Sequence, residues 1–271
     1  MGESCGGNLL IIGGNEDKQG ECIILRKFIA MAGGRESRIA VVTTATEFPR
    51  EVGDEYRSLF TEFGAESSNI LFIANREAAN DRHNISEIEQ SSGIFFTGGD
   101  QLRLTSILGG SGVDAAIRRS FRQGTVIAGT SAGASVMSDT MIVDGSSSDT
   151  PTKSMLSMAH GMGLLEEVVI DQHFAQRGRI NRLLAAVAQN PHILGVGIDE
   201  DTALSVSPEG MVEIVGSQTV TIVDGKSIIQ TNISESKPFD PLALTNVILH
   251  ILPSGFGYDL KRRVPHTSKT K

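Results

Sequence analysis

The segment GTSAG at residues 129–133 follows the pattern G-x-S-x-G, in which a serine stands between two glycines. In this nucleophile turn a strand bends into a helix within about two residues, and the serine at its apex is exposed. The apolar run at 125–128 predicts the strand, and a helix is expected from Ala132 to about Ser138. The pattern indicates a nucleophilic Ser131 with the amide of Ala132 facing a developing oxyanion. Because a five-residue pattern is loose, a glycine-serine turn without chemistry is the alternative.

Two more polar residues follow apolar segments and could activate this serine. His173 comes shortly after the apolar run 168–170, and Glu200 comes shortly after 194–198. A serine hydroxyl is a weak nucleophile until a base takes its proton. An imidazole can be that base, and a carboxylate can hold the imidazole in the required tautomer. Because the carboxyl ends of parallel strands lie on one edge of a sheet, we expect the three side chains to meet there.

Alternatives to this triad remain open at the level of the sequence. A histidine at a strand end is often structural, and the segment 199–201 (DED) does not reveal which acid would be the partner or whether it is only a solvated turn. The order serine, histidine, acid differs from the order serine, acid, histidine of the α/β-hydrolases, which argues against that fold. The amides of Gly98 and Gly99 could supply a second oxyanion donor, because glycine lets the backbone approach a substrate closely.

Strands and helices alternate along most of the chain, which predicts βαβ units and a parallel sheet. The predicted strands are 8–12, 39–43, 69–73, 93–97, 125–128, 168–170 and 194–198, and the predicted helices are 21–31, 51–63, 85–90, 113–121 and 179–188. After residue 203 short strands at 203–206, 212–215, 220–223 and 246–251 predict an antiparallel edge or hairpin layer. The polar stretch 144–151 is expected to be a loop on the active-site side, part of a longer 139–160 loop.

Composition limits the kind of protein. The chain has 271 residues with 39% apolar residues and a net charge of −8, so neither nucleic acid nor an anionic membrane is expected as a partner. Two cysteines, Cys5 and Cys22, cannot build a disulfide framework, which favours a reducing compartment. The N-terminus has no secretory pattern and the apolar runs are too short to span a bilayer, so we expect a cytoplasmic protein.

The domain prediction is a single domain over residues 1–271, with 261–271 as a flexible basic tail. The glycines at 13–14 follow a strand but continue into neither nucleotide-binding pattern. The spacing Asp171-x-His173 is too sparse for a metal site. No cofactor or metal is therefore needed for the predicted chemistry.

Five motifs taken together resemble those of the cyanophycinases. They are GGNEDK at 13–18, TGGDQ at 97–101, GTSAGA at 129–134, DQHF at 171–174 and GIDED at 197–201. Cyanophycinases and aspartyl dipeptidases share a serine-peptidase family with a class I glutamine-amidotransferase-like fold. The resemblance implies a flavodoxin-like three-layer α/β sandwich with a mostly parallel central sheet, which forms a homodimer. It also implies an exopeptidase that cleaves cyanophycin, a poly-aspartate with arginine on each β-carboxyl, to β-Asp-Arg dipeptides through an acyl-enzyme.

Residue roles carried over from the resemblance make Ser131 the nucleophile, His173 the base and Glu200 the orienting acid, with Gly99 and Ala132 as the oxyanion hole. The same resemblance implies substrate contacts from Gln101, Asp171, Gln172, Arg177, Arg179 and Arg182.

Physical chemistry gives the arginines among these residues a sensible task, because guanidinium groups bind substrate carboxylates bidentately. Arg179 and Arg182 would share one helix face. A solvated basic helix start is the alternative for these arginines. Asp171 could bind a substrate guanidinium or cap the turn after its strand.

Two other functions stay open from the sequence. The chain could be an aspartyl dipeptidase acting on small free peptides, because the loops that set specificity cannot be placed. It could also be a non-catalytic binding member of the same fold, because a fold does not determine a function.

Overall fold

The computed structural model describes residues 6–146 and 150–267 of the chain. Its strands are β1 (Leu9–Ile12), β2 (Arg38–Val42), β3 (Ser67–Leu71), β4 (Gly93–Phe96), β5 (Val126–Thr130), β6 (Thr140–Gly145), β7 (Leu156–His160), β8 (Val168–Asp171), β9 (Leu194–Ile198), β10 (Thr202–Val206), β11 (Met211–Gly216), β12 (Thr219–Asp224), β13 (Ile248–Pro253), β14 (Phe256–Asp259) and β15 (Val264–Thr267). Its helices are α1 (Ile23–Met31), α2 (Pro49–Glu62), α3 (Arg82–Gln90), α4 (Gln101–Leu108), α5 (Gly112–Arg122), α6 (Ala132–Ser135) and α7 (Ile180–Gln189), with 3₁₀ turns at Gly34–Glu36 and Ala78–Asn80.

Five parallel strands form the centre of a nine-stranded sheet, in the order β1-β5-β4-β2-β3. Both faces of β1, β5, β4 and β2 are covered, which is why these strands are mostly apolar, whereas the edge strand β3 is polar and partly exposed. Leu10 and Ile12 of β1 pack with α1 and α2 on one face, whereas Leu9 and Ile11 pack with α3, α4 and α5 on the other. This arrangement confirms the predicted α/β fold with a mostly parallel central sheet.

The same sheet continues beyond β1 with the antiparallel strands β10, β11, β14 and β15. This confirms the antiparallel layer predicted near the C-terminus. Residues Val264–Thr267, placed by sequence in a flexible tail, pair with Phe256–Asp259. Their short, mostly exposed segment has no apolar alternation, so only the ladder with β14 identifies it as a strand. Residues 268–271 of the predicted tail lie outside the described residues.

Strands β8 and β9 differ from the sequence-based expectation in the sheet to which they belong. They lie parallel to each other in a separate four-stranded sheet of order β13-β12-β9-β8. Apolar side chains of this second sheet, including Ile170 and Val196, join the core under the first sheet. Helix α7 covers the opposite face, where Leu183 and Val187 pack with Val169. Periodicity identifies a strand but not its neighbour, so sequence alone could not separate the two sheets.

Two elements near the site were missed. Residues expected to form a loop at 139–160 include a hairpin of β6 and β7, although residues 147–149 lie outside the described part of the chain. Helix α4 begins directly after Asp100, whose carboxylate accepts hydrogen bonds from the amides of Leu102 and Arg103 as an N-cap. No helix in the described part of the chain has both the length and the apolar composition needed to span a bilayer.

Candidate active site

Ser131 occupies a tight connection between β5 and α6, with φ 54° and ψ −112°. Positive φ is unusual for a residue with a side chain and marks a position held by its surroundings. The flanking glycines are required by packing, because a Cβ on Gly129 would collide with the carbonyl oxygen of Gly133, and one on Gly133 with that of Phe96. Helix α6 is one turn long and ends at Ser135, shorter than the helix predicted to Ser138, so its dipole contributes little.

The side chains of Ser131, His173 and Glu200 form a hydrogen-bonded row. Oγ of Ser131 lies 3.0 Å from Nε2 of His173, and Nδ1 of His173 lies 2.7 Å from Oε1 of Glu200. With its proton on Nδ1, the neutral imidazole donates to Glu200 and accepts from the serine hydroxyl at Nε2. The structure therefore brings together the three residues that the sequence predicted, although the nucleophile and the histidine come from different sheets.

Ionisation in this row suits proton transfer. Burial lowers the pKa of His173, while the hydrogen bond to Glu200 acts in the opposite direction. The hydrogen bond from His173 is the largest influence on Glu200 and lowers the pKa of its carboxyl group. Near neutral pH the imidazole is therefore uncharged and the carboxylate is ionised. A neutral imidazole can accept the serine proton, and the carboxylate can stabilise the imidazolium that results.

Asp199, the first of the three consecutive acids, is buried and holds structure together. Its Oδ1 accepts a hydrogen bond at 3.0 Å from the amide of Ala175, just after His173. Its Oδ2 accepts a hydrogen bond at 2.7 Å from the hydroxyl of Thr219. Asp199 thus ties the segment that follows His173 to β12.

Asp201, the third acid, is engaged in the same way. It accepts hydrogen bonds from the amide of Asp17 at 2.9 Å and from the hydroxyl of Ser217 at 2.7 Å. Glu200 is the acid left to reach His173, and its second oxygen accepts a hydrogen bond at 2.9 Å from Nδ2 of Asn15. Tertiary partners therefore distinguish three acids that are equivalent in the sequence.

The two oxyanion donors, Gly99 and Ala132, stay predictions, and their surroundings are as follows. Ala132 is the first residue of α6, so its amide has no acceptor within the helix. The glycine pair at 98–99 approaches the nucleophile, because a Cβ on Gly98 would lie 3.4 Å from the Cβ of Ser131. Gly99 has φ +141°, and a Cβ there would collide with the carbonyl group of Ala45. Only glycine therefore fits at position 99, where the backbone packs against Ala45.

A buried charge cluster lies directly before His173. Asp171 is 1% exposed and pairs with Arg182, whose Nε donates to Oδ2 at 2.6 Å and whose Nη2 donates to Oδ1. Nη1 of Arg179 donates to Oδ1 of Asp171 at 3.3 Å and to the side-chain oxygen of Gln172 at 2.8 Å. Burial lowers the pKa of Arg179 to about 10. Asp171 thus neither caps a turn nor stands free, because two arginines of its own chain occupy it.

The other predicted substrate residues have different surroundings. Nε2 of Gln101 donates to the carbonyl oxygens of Ile142 at 3.2 Å and Val143 at 2.9 Å, which attaches α4 to β6. Arg177 is exposed, and its charge lowers the pKa of both His173 and Glu200. Of the six residues, Arg177 is the one whose charged group is open to a ligand, and the substrate contacts stay predictions.

Sequence reasoning gave no role to a cleft of about 570 Å³ beside Ser131. The cleft is lined by Asn15, Glu16, Asp17, Lys18, Gln19, Val52, Glu55, Tyr56, Gly98, Thr130 and Ser131. Part of it comes from the GNEDK segment at 14–18, which the motif comparison singled out without a function. The rest comes from Val52, Glu55 and Tyr56 of α2, whose spacing places them on one helix face but carries no signal that this face borders the nucleophile.

Comparison with known proteins adds independent information. The model of peptidase family S51 matches residues 9–214. A cyanophycinase of Geminocystis herdmanii (strain PCC 6308) is 42% identical over 259 residues, which covers 95% of each chain. A cyanophycinase of Synechococcus elongatus is 37% identical over 256 residues and 80% of its length. The crystal structure of a peptidase from an acI-B1 Actinobacterium has a TM-score of 0.71 at 20% identity, covering 95% of this chain and 98% of that one.

Proposed function

The chain belongs to peptidase family S51 and is a serine-type peptidase, and from this premise we propose that it hydrolyses cyanophycin to β-Asp-Arg dipeptides. The observation that carries the proposal is the hydrogen-bonded row of Ser131, His173 and Glu200. Support for the substrate comes from relatives named cyanophycinase, one of them 42% identical over 95% of the chain.

The proposed reaction passes through an acyl-enzyme. Oγ of Ser131 attacks the scissile carbonyl carbon while its proton passes to Nε2 of His173. The negative charge on the former carbonyl oxygen is stabilised by the amides of Gly99 and Ala132. As the C–N bond breaks, the leaving amine takes the proton from His173. Water then attacks the acyl carbon, gives a proton to His173, and the ester bond breaks as Ser131 regains its proton.

The test is incubation of the protein with insoluble cyanophycin and detection of released β-Asp-Arg by mass spectrometry, in parallel with small Asp-X peptides. Release of the dipeptide from the polymer supports the proposal. Turnover of small peptides without release from the polymer would instead support an aspartyl dipeptidase. Absence of both reactions, together with no labelling of Ser131 by a serine-directed reagent, would support a non-catalytic member of the fold.

The pH dependence of kcat/KM provides a first prediction. Only the neutral imidazole of His173 can accept the serine proton, so activity should fall as the pH drops through the pKa of His173. Burial lowers this pKa, so the inflection should lie below the ordinary histidine value of about 6.5. Glu200→Gln should move the residual activity's inflection to still lower pH, because Glu200 raises the pKa of His173. An inflection above the ordinary value in the wild-type protein would contradict this assignment.

Asn15 provides a second prediction, as a residue that positions Glu200. Asn15 has φ 46°, and its amide holds the carboxylate oxygen that does not face His173. Asn15→Gly keeps that backbone conformation accessible and removes the amide. We expect kcat to fall about fivefold with KM unchanged, because the variant loses one exposed hydrogen bond to a charged group. A change in KM alone would indicate a direct substrate contact instead.

The oligomeric state and location belong to the same proposal. We expect a cytoplasmic protein from the sequence composition, and a homodimer as the family resemblance implies. Light scattering coupled to size-exclusion chromatography measures the mass in solution, and a monomer at micromolar concentration would contradict the dimer.

A further inference from the structure

The cleft beside Ser131 has a built wall of charged and aromatic side chains. Helix α2 contributes Val52, Glu55 and Tyr56, and the segment after β1 contributes Lys18. None of the six predicted substrate residues is among the described residues that line this cleft. A substrate bound at Ser131 would therefore meet a second surface that the sequence did not assign.

The position of Lys18 is linked to the nucleophile strand through buried contacts. Nζ of Lys18 lies 4.3 Å from the centre of the Tyr56 ring, within range of a cation–π interaction. The hydroxyl of Tyr56 donates to one oxygen of Glu16, and the hydroxyl of Thr130 donates to the other at 2.6 Å. Tyr56 and Glu16 are 3% and 4% exposed, so the contacts between them and Thr130 are shielded from water. Thr130 precedes Ser131, so the location of the lysine is set relative to the nucleophile.

Glu55 is the acid of the cleft that is available to a ligand. The carboxylate of Asp17 accepts hydrogen bonds from the amides of Gln19, Gly20 and Cys22, and Glu16 is occupied by Tyr56 and Thr130 as above. Glu55 contacts Lys18 at 2.7 Å, and its side chain is 50% exposed. An ion pair this exposed stabilises the fold by at most about 1 kcal/mol, so a charged ligand can replace either partner.

The proposed substrate carries the two charges that this pair would match. Each arginine of cyanophycin is attached through its α-amino nitrogen, so it keeps one carboxylate and one guanidinium group. Among the described residues that line the cleft, Lys18 is the one cation. Resting on the proposed function, we propose that Lys18 and Glu55 form a subsite for one arginyl group, with Lys18 binding its carboxylate and Glu55 its guanidinium. On binding, the ion pair within the protein is exchanged for two ion pairs with the substrate.

The experiment uses synthetic trimers of β-Asp-Arg units in which one unit at a time carries citrulline, a neutral isostere of arginine, or a carboxamide in place of the arginyl carboxylate. Values of kcat and KM are measured for the wild-type protein, Glu55→Gln and Lys18→Met. At one unit of the trimer, kcat/KM of the wild-type protein should be about tenfold higher with arginine than with citrulline. In Glu55→Gln this difference between arginine and citrulline should disappear, because KM for the arginine trimer rises. In Lys18→Met the difference between carboxylate and carboxamide should disappear at the same unit.

A matched control is Glu89→Gln, which removes an ion pair with Arg119 of the same length, 2.7 Å, and similar exposure outside the cleft. Its preferences should equal those of the wild-type protein. If the wild-type protein cleaves the trimers but Glu55→Gln keeps its preference for arginine at every unit, the subsite is overturned while the proposed function stands. If the wild-type protein cleaves neither the trimers nor the polymer, both proposals are overturned.

Discussion

Replacement of Ser131 by alanine is expected to lower kcat for cyanophycin hydrolysis by about 10⁴- to 10⁶-fold. The serine supplies the oxygen that forms the acyl-enzyme, and His173 and Glu200 act only through it, so removing one member disables the unit. The residual rate would come from oxyanion donors and substrate binding alone. Release of β-Asp-Arg, followed by mass spectrometry over long incubations, measures a loss of this size.

The same substitution should leave the fold and the affinity for polymer nearly unchanged. Alanine removes one oxygen from a half-buried position, and the hydrogen bond between His173 and Glu200 does not depend on it. Co-sedimentation with insoluble cyanophycin checks binding, and thermal unfolding checks stability. Ser106→Ala, at an exposed serine of α4, is the control for the loss of a hydroxyl. A Ser131→Ala protein with more than a tenth of the wild-type activity would contradict the mechanism.

The nucleophile could be predicted because its signal is local. Gly129 is required by a contact with Gly133 inside the turn itself, and Gly133 by close packing against Phe96 of the neighbouring strand, so the spacing in the sequence reports the geometry of the turn. The central parallel sheet was equally accessible, because strands covered on both faces are apolar throughout. Features enforced by short-range sterics or by burial of whole strands leave a pattern that a single sequence shows.

The way in which His173 and Glu200 reach Ser131 was not accessible in the same way. The prediction assumed one sheet, whereas the structure joins two sheets through the glycine turn at 13–14. The amide of His173 donates to the carbonyl of Gly13 at 2.8 Å, and the amide of Asp201 donates to that of Gly14 at 2.9 Å. These bonds join residues far apart in the chain and involve only backbone atoms, so no side-chain pattern records them.

Burial of charge was the second feature that sequence could not reveal. In the sequence, Arg179 and Arg182 are compatible with a solvated helix start or with an anion-binding site. Nothing in the neighbouring sequence shows that both arginines instead form buried ion pairs with Asp171. The carboxylate of Asp171 is fully paired within the chain, whereas its two guanidinium partners leave the cluster with one positive charge in excess. The selection of Glu200 among three acids depends on distant partners in the same way.

Gly14→Ala is expected to lower kcat by about 10²- to 10³-fold although Gly14 carries no chemical group. A Cβ at this position would lie within 3.0 Å of Cε1 and Nε2 of His173, so the imidazole must move by roughly an ångström. Displacement of a catalytic group by about 1 Å is on the scale that lowers rates 10²-fold. Kinetics with the polymer should show the loss in kcat, and labelling of Ser131 by a serine-directed reagent should slow in parallel.

Backbone strain must be separated from this collision, and Gly124→Ala provides the comparison. Gly14 has φ +99° and Gly124 has φ +102°, but a Cβ on Gly124 would meet nothing within 4 Å. Gly124→Ala should lose stability on the order of 1 kcal/mol, because alanine is strained at such angles, and Gly14→Ala should lose at least as much, because its Cβ also displaces His173. Only Gly14→Ala should lose more activity than the decrease in its folded fraction explains. Equal activity of the two variants would mean that the position of the imidazole against the glycine turn does not matter, and the proposed role of His173 as the base would be wrong.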